Sequence, residues 1–420
     1  MNAVNVFGLF RQSIFRNFFF ASLASFLGEG IVTLTIIVVT LKESNSVISI
    51  GYMLILTILP SAILGPIIGA LIDKTNKAKL SVICSILRAL TIVLIPIAMY
   101  LGFFNIFVLY FSIFLSYIAW YILMPTLESI IKDVIDKDNY LKGVSFLQAA
   151  WQVGMLMAGL LAGSVMNVSG VELTLMIASV TYIVGAIFFY KIYKVFEYKP
   201  ISKIEETHSI VQEYFTDIKE GLNYLKGNKK ILFFSLTSCI VLPFFYAINI
   251  LLAPFNYQMV TGNEFTLGFI DSGAGIGSLL SAAFCLIISS RKKISFYLLC
   301  SLLLLGGSTV IFSIQTQYFM AFICYIVLGF FIGNVKVLSK SIIYKYVNQK
   351  YIGRTMGTIS MTSLVLTIIY TLLIGYLGDI SVHLAYLVTS LSLMVPALFC
   401  LLGKILDDKQ IKVETEINAS

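Results

Sequence analysis

The sequence predicts an all-α integral membrane protein with twelve transmembrane helices in two six-helix bundles. Of its 420 residues, 59% are hydrophobic and only 12% are charged, whereas a soluble domain carries about 25% charged residues. The mean hydropathy is +0.94, and no compact soluble domain hides that much apolar surface from water. Most of the chain must therefore lie in the hydrocarbon of a bilayer.

Twelve apolar runs are long enough to cross a membrane, since a spanning helix needs about 20 apolar residues. Six fall in the first half, at about 14–41, 47–72, 79–101, 104–127, 143–168 and 171–194. Six more follow at about 231–258, 265–290, 294–313, 317–345, 354–380 and 382–403. The first run is too long for a signal peptide and no small-residue cleavage site follows it. We therefore expect an N-terminal bundle at 1–194 and a C-terminal bundle with a short cytoplasmic tail at 231–420.

One long polar stretch, at about 195–230, separates the two groups and is predicted to be a cytoplasmic linker. Within it, apolar residues recur at helical spacing among charged ones: Val211, Phe215, Ile218, Leu222 and Leu225. This pattern predicts an amphipathic helix on the inner membrane face, which we interpret as a hinge or brace rather than a binding module.

Basic residues are distributed very unevenly along the chain, which has 29 Lys and Arg in total. With both termini inside, Lys42 is the only base in an outer loop, while Arg88 and Lys336 lie within spans. All other bases fall in inner segments or near inner helix ends. The positive-inside rule therefore predicts cytoplasmic termini. The net charge of +8 suits an anionic cytoplasmic leaflet and requires no nucleic-acid partner.

The chain shows little that favours an enzyme. It has no nucleophile elbow, no phosphate-binding Gly-Lys loop and no paired catalytic carboxylates, so direct use of ATP is not expected. The two histidines, His208 and His383, are far apart and form no metal-ligand pattern. The six cysteines all fall inside spans and are interpreted as small buried hydrophobic residues. We predict neither a metal nor a cofactor.

A short acidic and basic loop joins the second and third spans, in "GPIIGALIDKTNKAKL". Its spacing resembles the loop between helices two and three of the major facilitator superfamily, at Gly69, Leu71, Asp73, Lys74, Lys77 and Lys79. Asn76 stands where many members have Gly, and Asn also tolerates a left-handed turn. The resemblance implies the major facilitator fold and a partner for the acid at the start of the eleventh helix, "GRTMG". We hypothesise that Asp73 docks against Arg354 and that helix end when the inner gate is shut. The alternative is a solvated turn whose lysines only fix topology.

Glu29 lies near the middle of the first predicted span, in "LASFLGEGIVTL". An ionisable group at that depth costs a few kcal/mol and almost always faces the bundle interior or a water-filled cavity. As a lone carboxyl it can carry a proton, bind a cationic substrate, or exchange one for the other. Gly28 and Gly30 flank it and can let the helix bend or a ligand approach. The alternative is a Glu that only holds helix packing through hydrogen bonds.

Several further polar or aromatic residues lie in or near spans and are weaker candidates for the transport path. The ionisable ones can line the path or pair with one another, and Arg88 and Lys336 can also snorkel toward the inner surface. The candidates are Asp271, Glu128, Arg88, Lys336, Gln148, Gln152, Asn249 and Asn256. For each of them a structural role is the favoured interpretation. Trp120 and Trp151, in adjacent spans, are candidates for one wall of the path.

A stripe of small residues occurs in the fifth span, in "GMLMAGLLAG", which includes Gly154, Gly159 and Gly163. Small residues let a neighbouring helix approach closely. The stretch resembles the antiporter motif of the same superfamily but lacks its proline. Ordinary small-residue packing is an equally good explanation.

Three stretches resemble the bacterial exporter branch of the superfamily that includes macrolide efflux proteins: "GVSFLQAAWQVGMLMAGLLAG", "DIKEGLNYLKGNKKI" and "YIGRTMG". The resemblance implies a monomer in the bacterial plasma membrane that exports an amphipathic small molecule in exchange for protons, by alternating access. The Arg that the family carries in its fourth helix is missing, since 104–127 contains no base. Two alternatives stay open: an importer or facilitator of a small metabolite on the same fold, and a membrane immunity or sensor protein that transports nothing.

Overall fold

The computed structural model describes residues 6–135, 140–195, 210–288 and 294–419, and within these ranges the chain is almost entirely helical. Two short 3₁₀ turns, Val6–Arg11 and Gln349–Tyr351, accompany fourteen α-helices. In chain order the α-helices are α1 Ser13–Ser44, α2 Val47–Lys74, α3 Lys77–Tyr100, α4 Ile106–Val134, α5 Tyr140–Val195, α6 Ile210–Gly227, α7 Lys229–Cys239, α8 Val241–Gln258, α9 Glu264–Ile288, α10 Ile294–Ser313, α11 Tyr318–Tyr346, α12 Ile352–Ile380, α13 Val382–Ser392 and α14 Met394–Ala419.

Within the described residues, the α-helices other than α6 make up twelve spans, as the hydropathy pattern predicted. The described residues contain 11 helical segments long and apolar enough to cross a membrane, and one of them, Lys142–Val195, has 54 residues. A straight helix of that length would run about 80 Å, more than twice the roughly 30 Å of a bilayer core. Gly170 breaks it with φ 82° and ψ 176°, a backbone conformation that favours glycine, so α5 contributes two spans. Large apolar side chains cover the exposed helix faces, as a lipid-facing surface requires.

Short polar side chains begin several of the helices. The side chains of Asn76, Asn105, Asn228 and Ser381 each accept a hydrogen bond from a backbone N–H in the first turn that follows, the usual N-cap arrangement. At Asn76 the backbone has φ −66° and ψ 112°. The residue is therefore extended, and the α2–α3 connection does not use the left-handed turn that Asn would have tolerated.

The described residues divide into two compact units. The first comprises Met1–Asn45, Met53–His208 and Asn263–Ser272. The second comprises Ser46–Tyr52, Ser209–Gly262 and Gly273–Ser420. The opening turns of α2 thus belong to the second unit and those of α9 to the first. The predicted divisions at 194 and 230 stay predictions.

In the first unit, α1 packs mainly against α5. Glycines let the two backbones approach: a Cβ on Gly154 would lie 2.8 Å from the Cβ of Phe26, and one on Gly185 would lie 3.0 Å from the Oγ of Ser25. An added methyl group at either position would force its neighbour to shift. The small residues therefore set the separation of these helices, as expected for packing in a membrane.

In the second unit, the amphipathic helix α6 packs on the start of α12. The Nε of Arg354 lies 2.9 Å from the Oδ1 of Asp217, and its Nη1 pairs with Glu220. The rings of Tyr224 and Tyr351 stack with their centroids 4.5 Å apart. The amphipathic pattern at 210–227 forms the helix α6, and these contacts pack it against the start of α12.

Two further polar contacts hold helix ends within the second unit. The Asp379 carboxylate accepts hydrogen bonds from the backbone N–H of Val47 and, at 2.9 Å, from the hydroxyl of Ser46, so it caps the start of α2. Asp407 on α14 accepts a hydrogen bond from Tyr346 and lies 3.1 Å from the Nζ of Lys230.

Candidate transport site

A buried cluster of polar and aromatic side chains surrounds Glu29 in the first unit. Glu29 lies at mid-length in α1 and is only 5% exposed. One carboxylate oxygen, Oε1, accepts a hydrogen bond of 2.8 Å from the hydroxyl of Tyr117 on α4. The other, Oε2, accepts a hydrogen bond from the Nη2 of Arg88 on α3, and the two groups form an ion pair. The carboxylate is therefore hydrogen-bonded at both oxygens.

Arg88 is completely buried and is the centre of the cluster. Its Nη2 also donates a 2.6 Å hydrogen bond to the hydroxyl of Tyr182 on α5. The guanidinium carbon lies 4.1 Å from the ring centroid of Tyr182 and 4.6 Å from that of Trp120, both within range for cation–π attraction. Its Nε and Nη1 make no hydrogen bond within the described residues. Aromatic faces thus take the place of hydrogen-bond acceptors over much of the guanidinium.

Aromatic rings extend the cluster on one side. The rings of Trp120 and Trp151 lie 5.8 Å apart, and both contact Phe26, at 6.1 and 5.1 Å respectively. Trp120 and Phe26 are buried, while Trp151 is half-buried. The two tryptophans therefore lie side by side, and Trp120 covers Arg88.

The structure corrects two expectations about the charged residues in this cluster. Glu29 is not a lone carboxyl, because Arg88 neutralises it. Arg88 does not snorkel toward the membrane surface, because its whole side chain is buried and its guanidinium is held by Glu29 and Tyr182. The pairing was one of the alternatives that the sequence left open.

The glycines beside Glu29 also serve a different purpose from the one expected. A Cβ on Gly28 would overlap Thr181 and Tyr182, and a Cβ on Gly30 would overlap Ala158. The helix runs unbroken from Ser13 to Ser44. Gly28 and Gly30 therefore lie against neighbouring protein side chains, and the helix is not interrupted there.

The remaining candidate residues of the path lie on α4, α5, α8 and α11. Glu128 and Gln148 are exposed, and Gln152 is half-buried. Asn249, in the second unit, donates its side-chain amide to the carbonyl of Phe245 at 2.8 Å, within its own helix. Lys336 is exposed on α11.

Asp271 lies in the second turn of α9 beside the small-residue stripe of α5. Its Oδ2 is 3.1 Å from the position that a Cβ on Gly159 would occupy. A Cβ on Gly163 would lie 2.8 Å from the Cα of Gly268 and 2.6 Å from the carbonyl oxygen of Glu264. The stripe therefore forms a tight helix–helix seam, Gly154 toward α1 and Gly159 and Gly163 toward α9. Lys42 at the end of α1 pairs with Glu264 at the start of α9.

The predicted gating loop is only partly described. Gly69 lies inside α2 with open space where a Cβ would be. Lys74 and Lys79 are exposed, and the Nζ of Lys77 lies 2.6 Å from the Oδ2 of Asp133. The side chain of Asp73 lies outside the described residues, so its docking against Arg354 stays a prediction. Arg354 itself pairs with the linker helix.

Two small cavities lie among the described residues. Each offers about 10 Å³, roughly the room for one water molecule. The first is wholly apolar and lies in the second unit, lined by Ile240, Val241, Phe244, Leu305, Ile332, Val335 and Leu393. Glu29 lines neither of them.

The model of the Major Facilitator Superfamily matches residues 18–369 of the chain. The chain belongs to this superfamily. Its relatives include the uncharacterised MFS-type transporter YfiS of Bacillus subtilis, 26% identical over 86% of this chain and 85% of that protein. They also include macrolide efflux protein A of Streptococcus pyogenes, 19% identical over 90% of this chain and 92% of that protein.

Solved structures of the superfamily share the fold. The nucleoside transporter NupG superposes with a TM-score of 0.71 at 15% identity, over 93% of this chain and 99% of that one. A bacterial homologue of the lysosomal transporter Spinster, in an inward-facing and occupied conformation, gives a TM-score of 0.72 at 13% identity. The match covers 94% of this chain and 97% of that one. The chain is thus a multi-pass membrane transporter, and the superfamily and its fold are not those of enzymes.

Sequence reasoning missed Tyr117 and Tyr182, which complete the Glu29–Arg88 cluster. Tyr117 is 88 residues from Glu29 and Tyr182 is 94 residues from Arg88. The only available signal was their depth within predicted spans, and a tyrosine hydroxyl at that depth needs a partner. That signal does not say which partner.

Proposed function

We propose that this chain is a proton-coupled exporter of an amphipathic small molecule that works by alternating access, with Glu29 as the group that takes and releases the proton. The observation that supports this most strongly is the burial of Glu29 at mid-depth in α1, hydrogen-bonded at both carboxylate oxygens. Ionisable groups inside spans are expensive to bury and usually serve transport. The likeness to macrolide efflux protein A supports the outward direction.

Protonation of Glu29 has a direct physical consequence in this cluster. It cancels the carboxylate charge and leaves the guanidinium of Arg88 buried without a counter-ion. An uncompensated charge in a protein interior costs several kcal/mol. Protonation therefore favours a conformation in which water reaches Arg88, and loss of the proton favours the closed cluster seen here. This linkage is what couples a proton to a change of conformation.

Uptake of a small metabolite by proton symport is the second candidate, and the charge of the cluster favours it. The Glu29–Arg88 pair is neutral when no proton is bound, so an empty carrier carries no uncompensated charge at this site when it changes conformation. Free return of the empty carrier is what a symporter needs and what an exchanger must prevent. The nucleoside and Spinster-like carriers show only that this fold is shared.

Transport in proteoliposomes with an imposed pH gradient tests the proposal. Wild type is compared with Glu29→Gln and with Glu128→Gln, which removes an exposed carboxylate. We expect proton-driven accumulation of a probe such as erythromycin or ethidium by wild type and Glu128→Gln, and none by Glu29→Gln. Reversing the gradient identifies the direction.

Full pH-driven accumulation by Glu29→Gln would remove Glu29 from the mechanism. Because that variant leaves Arg88 unpaired and can fold poorly, Glu29→Gln/Arg88→Gln serves as a second variant without a buried charge. Proton-driven transport by this double variant would have the same meaning.

We also propose that the α2–α3 loop gates the inner side through Asp73. The basic residues around it support a cytoplasmic position for the loop. Arg354 at the start of α12 pairs with two carboxylates, those of Asp217 and Glu220, which supports its capacity to receive an acidic side chain. In Asp73→Asn we expect slower transport and more of the inward-open form. If transport and the populations of the inward-open and outward-open conformations are unchanged in Asp73→Asn, the loop serves only to fix the topology.

A further inference from the structure

Two spans of the second unit are interrupted, and a proline follows each interruption at the same distance. The seventh span breaks at Ile240, between α7 and α8, and the twelfth breaks at Leu393, between α13 and α14. Pro243 and Pro396 each lie three residues further on. A proline has no backbone N–H, so it cannot bond the carbonyl four residues earlier, and its ring pushes that carbonyl aside. The carbonyl of Cys239 therefore loses its helical donor.

Proline is not sufficient to cause such a break. Pro96, Pro125 and Pro254 also lie within spans, and their helices continue through them. At the first break the packing helps, because the hydroxyl of Ser363 on α12 donates a hydrogen bond of 2.9 Å to the carbonyl of Cys239. A hydroxyl on a neighbouring helix can satisfy a backbone group that proline has freed. The interruption is thus supported by the surrounding helices.

The two breaks lie against the same space. Ile240 and Leu393 both line the apolar cavity of the second unit, together with Val335 on α11. Close-packed interiors resist displacement of their helices, and side chains that face a void lack contacts on that side. The cavity therefore leaves room for movement at the level where both spans are interrupted.

The helix halves on either side of the breaks also pack in pairs. α7 packs on α14, where the hydroxyl of Thr237 donates a hydrogen bond of 3.2 Å to the carbonyl of Pro396. α8 packs on α13, where the rings of Phe255 and Tyr386 meet edge to face with their centroids 5.7 Å apart. A movement of one half at its break is therefore passed to its partner.

We propose that the breaks at Ile240 and Leu393 form one hinge, at which α8 and α13 move together relative to α7 and α14 during transport. Pro243 and Pro396 are positioning residues, since they act by removing the backbone hydrogen bonds that would hold the two spans straight. The hinge goes beyond the proposed function, because it concerns the bending of the second unit whatever the substrate and the coupling ion.

Hydrogen–deuterium exchange of the purified protein in detergent tests the hinge without a substrate. Pro243→Ala restores the N–H that reaches the carbonyl of Cys239. We expect exchange of the backbone amides at 240–244 to slow by about fivefold, the factor that corresponds to one ordinary hydrogen bond. Because the two breaks move together, exchange at 393–397 should also slow in this variant, although no atom there has changed. Pro396→Ala should give the reciprocal result.

Pro254→Ala is the matched control, because it restores the same kind of hydrogen bond at a point where α8 is not interrupted. We expect it to leave exchange at 393–397 unchanged. The hinge is overturned if Pro243→Ala and Pro396→Ala each slow exchange in their own span only. It is also overturned if Pro254→Ala slows exchange at 393–397 as much as Pro243→Ala does.

Val335→Ile keeps both prolines and adds one methyl group to the wall of the cavity. Filling this space should slow exchange at both breaks. Val327→Ile is its control, since Val327 lies on the same helix and is 39% exposed, and it should change neither. Wild-type exchange at both breaks in Val335→Ile would contradict the hinge, even if a proline variant fails to fold.

Transport in proteoliposomes gives a second readout. We expect Pro243→Ala/Pro396→Ala to lower kcat and to leave KM unchanged, because the hinge affects a change of conformation and not the contacts with the substrate. This test is separate from that of the proposed function. If exchange couples the two breaks but wild type shows no proton-driven transport, the proposed exporter is wrong and the hinge stands. If wild type exports its probe and the breaks exchange independently, the hinge is wrong and the exporter stands.

Discussion

At the residue scale, the Glu29–Arg88 pair decides how the first unit responds to loss of a charge. Both groups are buried, and each is the other's only charged partner among the described residues. Removing one partner of a buried pair costs about 3–5 kcal/mol, because the other charge remains in the interior, whereas replacing both is often close to neutral. Stability measurements can therefore separate the pair from its neighbours.

We expect Glu29→Gln and Arg88→Gln each to lower the free energy of unfolding by about 3–5 kcal/mol. The double variant should be more stable than either single one, because it leaves no buried charge. Unfolding of the purified protein in detergent, followed by tryptophan fluorescence, measures all four species. Equal and additive losses would mean that the two groups do not act as a pair. Glu128 is exposed, so the free energy of unfolding of Glu128→Gln should lie within about 0.5 kcal/mol of the wild-type value.

The depth of Glu29 was readable from the sequence because a charged residue stands out within an apolar run. Its partners were not readable. Arg88 is 59 residues away, on a different helix, and its position within a span does not show whether it pairs with another residue or snorkels toward the inner surface. Helix rotation decides whether such a side chain faces lipid or protein, and a run that is apolar on all sides carries no signal of its rotation. The lone-carboxyl interpretation of Glu29 was wrong for this reason.

At the element scale, close helix packing depends on glycines that look alike in the sequence but differ in their surroundings. Gly163 meets the backbone of α9, whereas Gly307, in the middle of α10, has nothing within 4 Å of the position of a Cβ. Backbone atoms cannot move aside as a flexible side chain can, so an added methyl group at Gly163 must push α5 and α9 apart.

We expect Gly163→Ala to lower the thermal stability of the purified protein and to weaken transport. Overpacking at well-packed sites typically costs about 1–3 kcal/mol. Gly307→Ala is the matched control and should be neutral or slightly stabilising, because alanine favours a helix over glycine by about 1 kcal/mol. Equal melting temperatures for the two variants would contradict the assignment of Gly163 to a tight seam. Both variants are measured by thermal unfolding in the same detergent, so that any difference in melting temperature comes from the substitutions.

The number and order of the helices were predictable, because apolar runs of spanning length allow few alternatives. Local breaks were not. The seventh predicted span consists of α7 and α8, with a break at Ile240, and the last span consists of α13 and α14, with a break at Leu393. Neither break carries a glycine in the sequence. The docking of α6 on α12 was also unpredictable, because an amphipathic pattern does not show which surface the helix covers.

At the scale of the whole molecule, orientation in the membrane follows from the distribution of charge. Every base except Lys42, Arg88 and Lys336 lies in or near a connection on the predicted inner side. The pairing of Lys42 with Glu264 joins two helix ends on the opposite side. These observations concern sidedness alone, and they predict that both termini and the helix α6 are cytoplasmic.

Cysteine labelling in intact cells tests this orientation directly. Glu43→Cys introduces an exposed thiol beside Lys42, and Asn223→Cys introduces one on the exposed surface of α6. A maleimide that does not cross the membrane should label the first variant in intact cells and the second only after the cells are opened. The native cysteines are a low background, because Cys84, Cys239, Cys285 and Cys400 are buried and Cys300 and Cys324 are half-buried. Labelling of Asn223→Cys in intact cells would mean that the orientation is the reverse of the predicted one. The α2–α3 loop would then lie outside and could not be an inner gate. The predicted direction of proton-driven transport would be reversed as well.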